Sequence, residues 1–404
     1  MVMPEAVIVA TARSPIGRAF KGSLIDVRAD DLAAQMVSAA LAKIPALPHS
    51  EIEDLLLGCG LPGGEQGFNM ARVVSVLAGL PDTPGTTVNR YCASSLQTIR
   101  MAAHAIRAGE GTAYVAAGVE CVSRFIKGNS DSLPDTENPA FDGARARSYE
   151  RSCANAPLWR PDGLPDVYIA MGQTAENVAQ IERITREEQD LFAFESQQNA
   201  ARAIANGFPE IAITPVSLPD GTMVKADDGP RPNTTREGLG QLRPVFRPDG
   251  TVTAGNSCPL NDGGAAVVVM SDVRARELGL VPLARIISSA VTGISPEIMG
   301  LGPVEACRRA LARASMTIDD VDLVEINEAF AAQVIPSMRH LGIDRAKLNV
   351  HGGAIAMGHP FGMTGARIMT TLLNGLLATD KTIGLEAMCV GGGQGMAMVV
   401  ERLS

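Results

Sequence analysis

Two stretches of the chain carry one pattern at nearly one spacing. Asp31–Leu41 shows helical spacing in Leu32, Met36, Ala39 and Ala40 and precedes the apolar run Glu53-Asp54-Leu55-Leu56-Leu57. Val304–Ala312 precedes Val321-Asp322-Leu323-Val324-Glu325 in the same way. Each block reads as a helix followed by a buried strand. The first strand ends at Cys59 and the second at Asn327. Cys59 to Cys92 is 33 positions, and Asn327 to His359 is 32. Each half then supplies a further helix and strand, ending near Gly118 and near Cys389. Such a duplication places Cys92, Asn327, His359 and Cys389 on loops at equivalent strand ends, where α/β folds hold ligands. Chance similarity of two α/β stretches is the alternative, and the matched spacings argue against it.

Alternation continues around these blocks. Ala6–Ala10, Asp54–Gly58 and Ala113–Ala117 read as strands, and Leu96, Ile99, Ala103 and Ile106 mark an amphipathic helix after Cys92. From about 121 to 250 prolines cluster, the single Trp159 appears and clean periods fade. Thr185 with Glu188 forms a capping box that opens a helix running to Gly207. This segment reads as a loop-rich insertion covering a site. A strand at Ala265–Met270 resumes the α/β pattern. The expected organisation is therefore 1–120 plus 251–272 as one half, 121–250 as a loop domain, and 273–404 as the second half.

Composition narrows the partners. With 46% hydrophobic and 20% charged residues among 404, the chain has ample material for a core and is not a disordered protein. A net charge of −9 disfavours nucleic acid, which calls for a basic surface. The longest apolar runs fall far short of the ~20 residues that span a bilayer, and Met1–Arg13 lacks the pattern of a secretory signal. Seven scattered cysteines contain no C-x-x-C pair, so free thiols, no structural metal and a reduced cytoplasm are expected.

Four segments carry chemistry. In Val88-Asn89-Arg90-Tyr91-Cys92-Ala93-Ser94-Ser95-Leu96 a cysteine stands between a strand and a helix, where the helix dipole is expected to lower its pKa; a buried structural cysteine is the alternative. In Asn349–Gly365, a glycine-rich loop, Pro360 suits a first helical turn, so His359 is expected at a helix start, neutral and able to take a proton from a thiol. His351 is the competing base, and a loop histidine bonded to backbone is the bland alternative. Asn327-Glu328-Ala329-Phe330 follows an apolar strand; Asn327 can hold a water or donate to an oxyanion, or simply cap a helix. Met388-Cys389-Val390-Gly391-Gly392-Gly393-Gln394-Gly395 can expose backbone N–H groups as an oxyanion hole. A dinucleotide loop is rejected there, because Met396–Leu403 reads as a terminal strand rather than the required helix.

Together with Thr253-Ala254-Gly255-Asn256, these segments resemble the thiolase family, in order and spacing, from about residue 4 to the C-terminus. The resemblance implies a duplicated five-layer α/β/α/β/α fold with an inserted loop domain, coenzyme A thioesters as substrates, and homodimers that often pair into tetramers. It implies Cys92 as the acyl-accepting nucleophile, His359 as its base and Cys389 as the second acid/base, with ping-pong turnover. One oxyanion hole would use His359 and a water held by Asn327; the other would use the N–H groups of Cys92 and Gly391. No metal or redox cofactor is implied. Arg231, in Pro230-Arg231-Pro232-Asn233-Thr234-Thr235, matches a position near the nucleotide end of coenzyme A, an exposed loop arginine being the alternative. Ala254 matches a backbone contact to the pantetheine arm. Met171 matches a residue near the reacting sulfur, a core methionine being the alternative.

The chain departs from acetoacetyl-CoA-forming members. It has Ala170 where they carry His, Cys258 followed by Pro259 where they carry Ser and Gly, and Ser95 where they carry Gly. His351 stands where many thiolases have Asn, and a hydrogen-bonding role is expected of it. These differences favour cleavage of 3-ketoacyl-CoA, in fatty-acid or related acyl-CoA degradation, over dedicated acetoacetyl-CoA synthesis. A ketoacyl synthase or hydroxymethylglutaryl-CoA synthase is disfavoured by Asn327 and Cys389, and a non-catalytic acyl-CoA or lipid carrier by the presence of Cys92, His359 and Cys389 together. Substrate choice falls to the loop-domain surface and to residues 121–170.

Overall fold

The computed structural model describes residues 4–128, 131 and 133–404. Its longer strands are β1 (Ala6–Arg13), β2 (Ile52–Gly58), β3 (Gly85–Val88), β4 (Ala113–Cys121), β5 (Asn261–Ser271), β6 (Ala284–Gly293), β7 (Leu323–Ile326), β8 (Ile383–Val390) and β9 (Gln394–Arg402). They run in the order β7-β8-β9-β6-β1-β5-β4-β2-β3. Only two residue pairs, Val7 with Arg285 and Ile8 with Ala284, join β1 to β6. On either side of that seam the order repeats: β1-β5-β4-β2 in the first half and β6-β9-β8-β7 in the second. The duplication read from the sequence is present in the topology. Even β3 has a counterpart, since Leu348 makes a parallel bridge to Val324 just before the His351–His359 loop.

Helices fill the layers between and outside the half-sheets. α1 (Ala29–Ala42) and α2 (Met70–Leu77) cover the outer face of the first half, with Leu32, Met36 and Val74 against Leu55, Val115 and Val268. α3 (Ser94–Ala108) and α9 (Thr364–Ala378) form the central layer. There Leu96, Ile99, Met369 and Leu372 pack between Val267 of the first half and Met388 and Met398 of the second. α7 (Gly302–Arg313) and α8 (Ala331–Leu341) cover the outer face of the second half. The result is the expected five-layer α/β/α/β/α stack. All eleven residues of β5 are buried, which is why it reads as a continuous apolar run rather than an alternating one.

Between β4 and β5 lie α4 (Asp142–Arg151), α5 (Met171–Ile181) and α6 (Arg186–Ala205). The expected capping box opens α6: Glu188 N donates to Thr185 Oγ1 at 3.2 Å and Thr185 N to Glu188 Oε2 at 2.8 Å. Gly207, with φ 75°, follows its end.

One expectation fails. Pro360 does not itself begin the helix; residues 361–363 form a turn, with Met363 N bonded to Pro360 O at 3.1 Å, that leads directly into α9 at Thr364. Gly362 is pressed against the carbonyls of Val119 and Gly58, so close that any side chain would collide with them, and its own N–H is tied to Glu120. That contact holds the chain in a turn where a helix would otherwise start.

Three ionisable groups are also buried where β7, β8 and α9 meet. Glu325 and Glu386 are neighbours across the β7–β8 pair, and Arg367 of α9 is buried beside them. Burial outweighs the attraction of Arg367 and raises the Glu325 carboxyl from 4.5 to about 8. An unfolded chain would ionise Glu325 above about 4.5, whereas the folded one holds its proton until about pH 8. Stability therefore falls as pH rises through that window. Urea unfolding should show wild type losing on the order of 2–5 kcal/mol relative to Glu325→Gln between those two pH values. Parallel pH dependences would contradict this assignment.

Candidate active site

Cys92 lies in a single 3-10 turn, Tyr91–Ala93, directly before α3, as its sequence setting implies. Its electrostatics are the reverse of the expectation. Cys92 is half-buried and faces a cavity, and desolvation drives its thiol up to about 12. The backbone N–H groups of Gly391 and of Cys92 itself pull the other way. Desolvation exceeds both of these, so the resting thiol is neutral. Gly391 can serve because the following turn is built from Gly392 and Gly393, with φ of 72° and 80°.

His359 is buried and its tautomer is assigned by its partners. The Thr364 hydroxyl donates to Pro360 O at 2.7 Å, so it accepts from His359 Nδ1–H, also at 2.7 Å. Nε2 is left as an acceptor, and Asn327 Nδ2 donates to it at 3.2 Å. Burial, with Arg367 second, lowers the imidazole to about 3. The ring is neutral as expected, though through desolvation rather than a helix dipole. Asn327 itself caps no helix: α8 begins four residues later, after Phe330. Asn261 Oδ1 accepts from His359 N at 2.9 Å and anchors the loop.

Glu120, near the end of β4, draws the two halves together. Its carboxylate accepts from Gly60 N and Gln66 Nε2, both at 2.7 Å, and from Gly362 N at 2.9 Å. The first two belong to the loop after β2 and the third to the His359 loop. Phe361, next to Gly362, packs edge-on to the His359 ring and lines the same cavity as Cys92. Glu120 and Thr364 escaped the reading of the sequence. Glu120 is a lone carboxylate inside an apolar strand, which is a usable signal; Thr364 has none, because its contact depends on the unanticipated turn.

Cys389, at the end of β8, is raised well above the ordinary thiol range by burial, then by the neighbouring Cys92 and Cys258. Cys258 is also pushed up, first by burial and then by Cys92. Its N–H donates to Ala329 O at 3.0 Å, and Ala331 N donates to Asn256 O at 2.9 Å, joining this segment to the one that bears Asn327. Asn327 N in turn bonds Ala387 O of β8 at 2.9 Å. Met171, at the start of α5, packs in the cluster that contains Cys389 and Cys258 and lines the Cys92 cavity.

The remaining candidates lie apart from that cavity. Ala254 is exposed in a turn fixed by Asn256 Oδ1, which accepts from Thr253 N at 2.8 Å. Arg231 is on the surface; its N–H donates to Gln197 Oε1 at 2.7 Å, and its guanidinium is lowered first by partial burial and then by Arg18. His351 stacks flat on Phe208, with centroids 3.8 Å apart, and burial lowers it to about 4. The structure thus gives His351 a packing role where a hydrogen-bonding one was expected. All seven cysteines are free. Among the described residues no group of three or more His, Cys, Asp or Glu is placed to hold a metal, and no helix is long and apolar enough to cross a membrane.

Comparison with known proteins agrees with this arrangement. Residues 6–273 match the thiolase N-terminal domain and 280–402 the thiolase C-terminal domain. The chain is 44% identical to a 3-ketoacyl-CoA thiolase of Bacillus subtilis, covering 99% of this chain and 100% of that one. It is 42% identical to a β-ketoadipyl-CoA thiolase of Acinetobacter baylyi, again over 99% and 100%. Among solved structures it superposes on the dimeric peroxisomal thiolase of Saccharomyces cerevisiae with a TM-score of 0.88 at 36% identity, covering 99% and 97%. The acetyl-CoA acetyltransferase of Bacillus anthracis gives 0.86 at 37% identity, covering 99% of each chain. The chain belongs to the thiolase family of acyltransferases.

Proposed function

We propose that this protein cleaves 3-ketoacyl-CoA with coenzyme A, giving acetyl-CoA and a shortened acyl-CoA through an acyl-Cys92 intermediate. The observation that carries the reading is that Cys92 and Gly391 line one cavity, with the buried Cys389 thiol near enough for a charge on Cys92 to raise it. His359 Nε2 takes the Cys92 proton as the sulfur attacks the substrate's C3 carbonyl. The N–H groups of Cys92 and Gly391 stabilise the oxyanion that forms there. The C2–C3 bond then breaks. The enolate of acetyl-CoA, its oxygen facing protonated His359 and a water held by Asn327, takes a proton from Cys389. Cys389 thiolate then deprotonates incoming coenzyme A, whose sulfur displaces the acyl group, and His359 returns its proton to Cys92. Splitting the transfer this way replaces one difficult step with two easier ones.

Coenzyme A lies across the loop domain, 121–250, in this reading. The Arg231 and Arg18 pair supports a phosphate at the nucleotide end, and exposed Ala254 supports a backbone contact to the pantetheine arm. Cys258 and Met171 flank the reacting sulfur. Ala170 lines the cavity and leaves room beyond an acetyl group, which favours degradation of fatty or related acyl-CoA over acetoacetyl-CoA synthesis. The enzyme works in the cytoplasm as a homodimer or homotetramer. Edge strand β3 supports association: it is only partly covered, and the adjoining Phe68, Val76 and Leu77 are exposed.

Thiolysis of 3-ketoacyl-CoA of increasing chain length tests the reading. Cys92→Ala and Cys389→Ala should each lose at least about 10³-fold in kcat. Acyl-CoA binding with no turnover by wild type would instead make the protein a carrier. Thr364→Val should lower kcat by about 10–100-fold, because Nδ1–H loses its acceptor and the tautomer is no longer held. Thr364→Ser should restore it; equal loss in both variants would point to packing alone. Protonation would disable the base only near pH 3, so kcat/KM should show no inflection at the ordinary histidine value of 6.5. An acidic limb centred at 6–7 and assigned to His359 would contradict the neutral-imidazole assignment.

A further inference from the structure

The two backbone N–H groups that act on the Cys92 thiol come from opposite halves of the chain. One belongs to Cys92 itself, in the turn before α3; the other belongs to Gly391, in the turn between β8 and β9. They are far apart in sequence, so chain connectivity does not set their spacing. Arg90 and Gln394 bridge the two turns. Arg90 Nη1 donates to Gln394 Oε1 at 2.6 Å, and Gln394 Nε2 donates to Gly391 O at 3.3 Å. A guanidinium has donors only, so it fixes which end of the Gln394 amide faces it and leaves the NH2 end for Gly391.

Each side of the bridge is itself anchored. Arg90 Nε donates to Gln97 Oε1 of α3 at 3.0 Å, and Arg90 N donates to Ser94 Oγ at 2.9 Å. The Ser94 hydroxyl donates in turn to Tyr91 O at 2.7 Å. Tyr91 has a φ of 43°, a left-handed backbone that an aromatic residue adopts only where its surroundings impose it. Its ring lies against Gly391, where a Cβ would come within 3.3 Å of it. Gln394 opposes Val390 at the end of the β8–β9 ladder, and Gly302 packs closely on its carbonyl.

We propose that Arg90 and Gln394 are positioning residues that hold the Cys92 and Gly391 N–H groups at the spacing an oxyanion on the acyl carbon requires. The inference rests on the thiolase reading and adds the parts that assemble its oxyanion hole from two halves. Neither Arg90 nor Gln394 is among the residues lining the Cys92 cavity, so each acts through the turn it holds. Donors fixed in advance count most in the transition state. A small displacement therefore lowers kcat and leaves substrate binding nearly unchanged.

Thiolysis kinetics and infrared spectra of Arg90→Met, Gln394→Met and the double variant test this. Each single variant should lose about 10–100-fold in kcat with KM within about twofold of wild type. The double variant should lose no more than the worse single one, because the two side chains act as one bridge. Arg90→Lys keeps a donor for Gln394 and should recover most of the Arg90→Met loss. In acyl-Cys92 carrying an isotope-labelled carbonyl, the thioester stretch should rise in frequency in both methionine variants, as the carbonyl loses its donors. Gln394→Met alone decides if Arg90→Met fails to fold. Unchanged kcat, additive losses, or a fall in kcat with the stretch unmoved would overturn the inference and leave the thiolase reading intact. No acylation of wild-type Cys92 would overturn the thiolase reading and the inference with it.

Discussion

The buried carboxylate of Glu120 is the contact on which the geometry of the site depends. It is reached by donors from two loops far apart in sequence, Gly60 and Gln66 on one side and Gly362 on the other. One loop follows β2 of the first half; the other carries His359 from the second. A carboxylate with no exposure is costly unless its lone pairs are filled, and here they are filled by backbone and amide donors rather than a cation. The cost is thereby converted into position. Gly362 is pinned, the turn at 361–363 is set, and Thr364 falls where it can hold the His359 ring. The same negative charge adds to the burial that keeps the Cys92 thiol protonated.

That protonated thiol defines the electrostatic character of the centre. Cys92 and Cys389 are pushed up and His359 is pushed down, each first by burial. All three are therefore uncharged at rest. A site of this kind does not store a thiolate–imidazolium pair; it creates charge only as the substrate arrives. Backbone N–H groups at Cys92 and Gly391 are fixed where the new negative charge appears, and such preorganised donors act most strongly in a dry site.

Much of this was legible in the sequence because it rests on spacing. The repeated helix–strand blocks and the 33- and 32-residue intervals survive as a repeated strand order; Cys92, Asn327 and Cys389 lie at or near strand ends, whereas His359 follows a short helix at Ala354–Met357. What was not legible depends on contacts between distant segments. Glu120 gains its role only when Gly362 arrives from the other half. Pro360 looks like a helix start until the close approach of Gly362 to Val119 forces a turn. His351 looks like a second base until Phe208 is seen stacked on it. The sign of the Cys92 shift was missed for the same reason: a helix end is visible in the sequence, whereas the depth of burial is a property of the assembled layers.

Trapping the covalent intermediate tests the proposed chemistry most directly. Incubating the protein with a neutral 3-ketoacyl-CoA, without free coenzyme A, stops the reaction after acetyl-CoA leaves. Mass spectrometry of the quenched, digested protein should then find the shortened acyl group on the peptide bearing Cys92, and addition of coenzyme A should discharge it. An acyl group on Cys389 or Cys258, or acetyl-CoA release with no acylated cysteine, would contradict the assignment of Cys92 as the nucleophile.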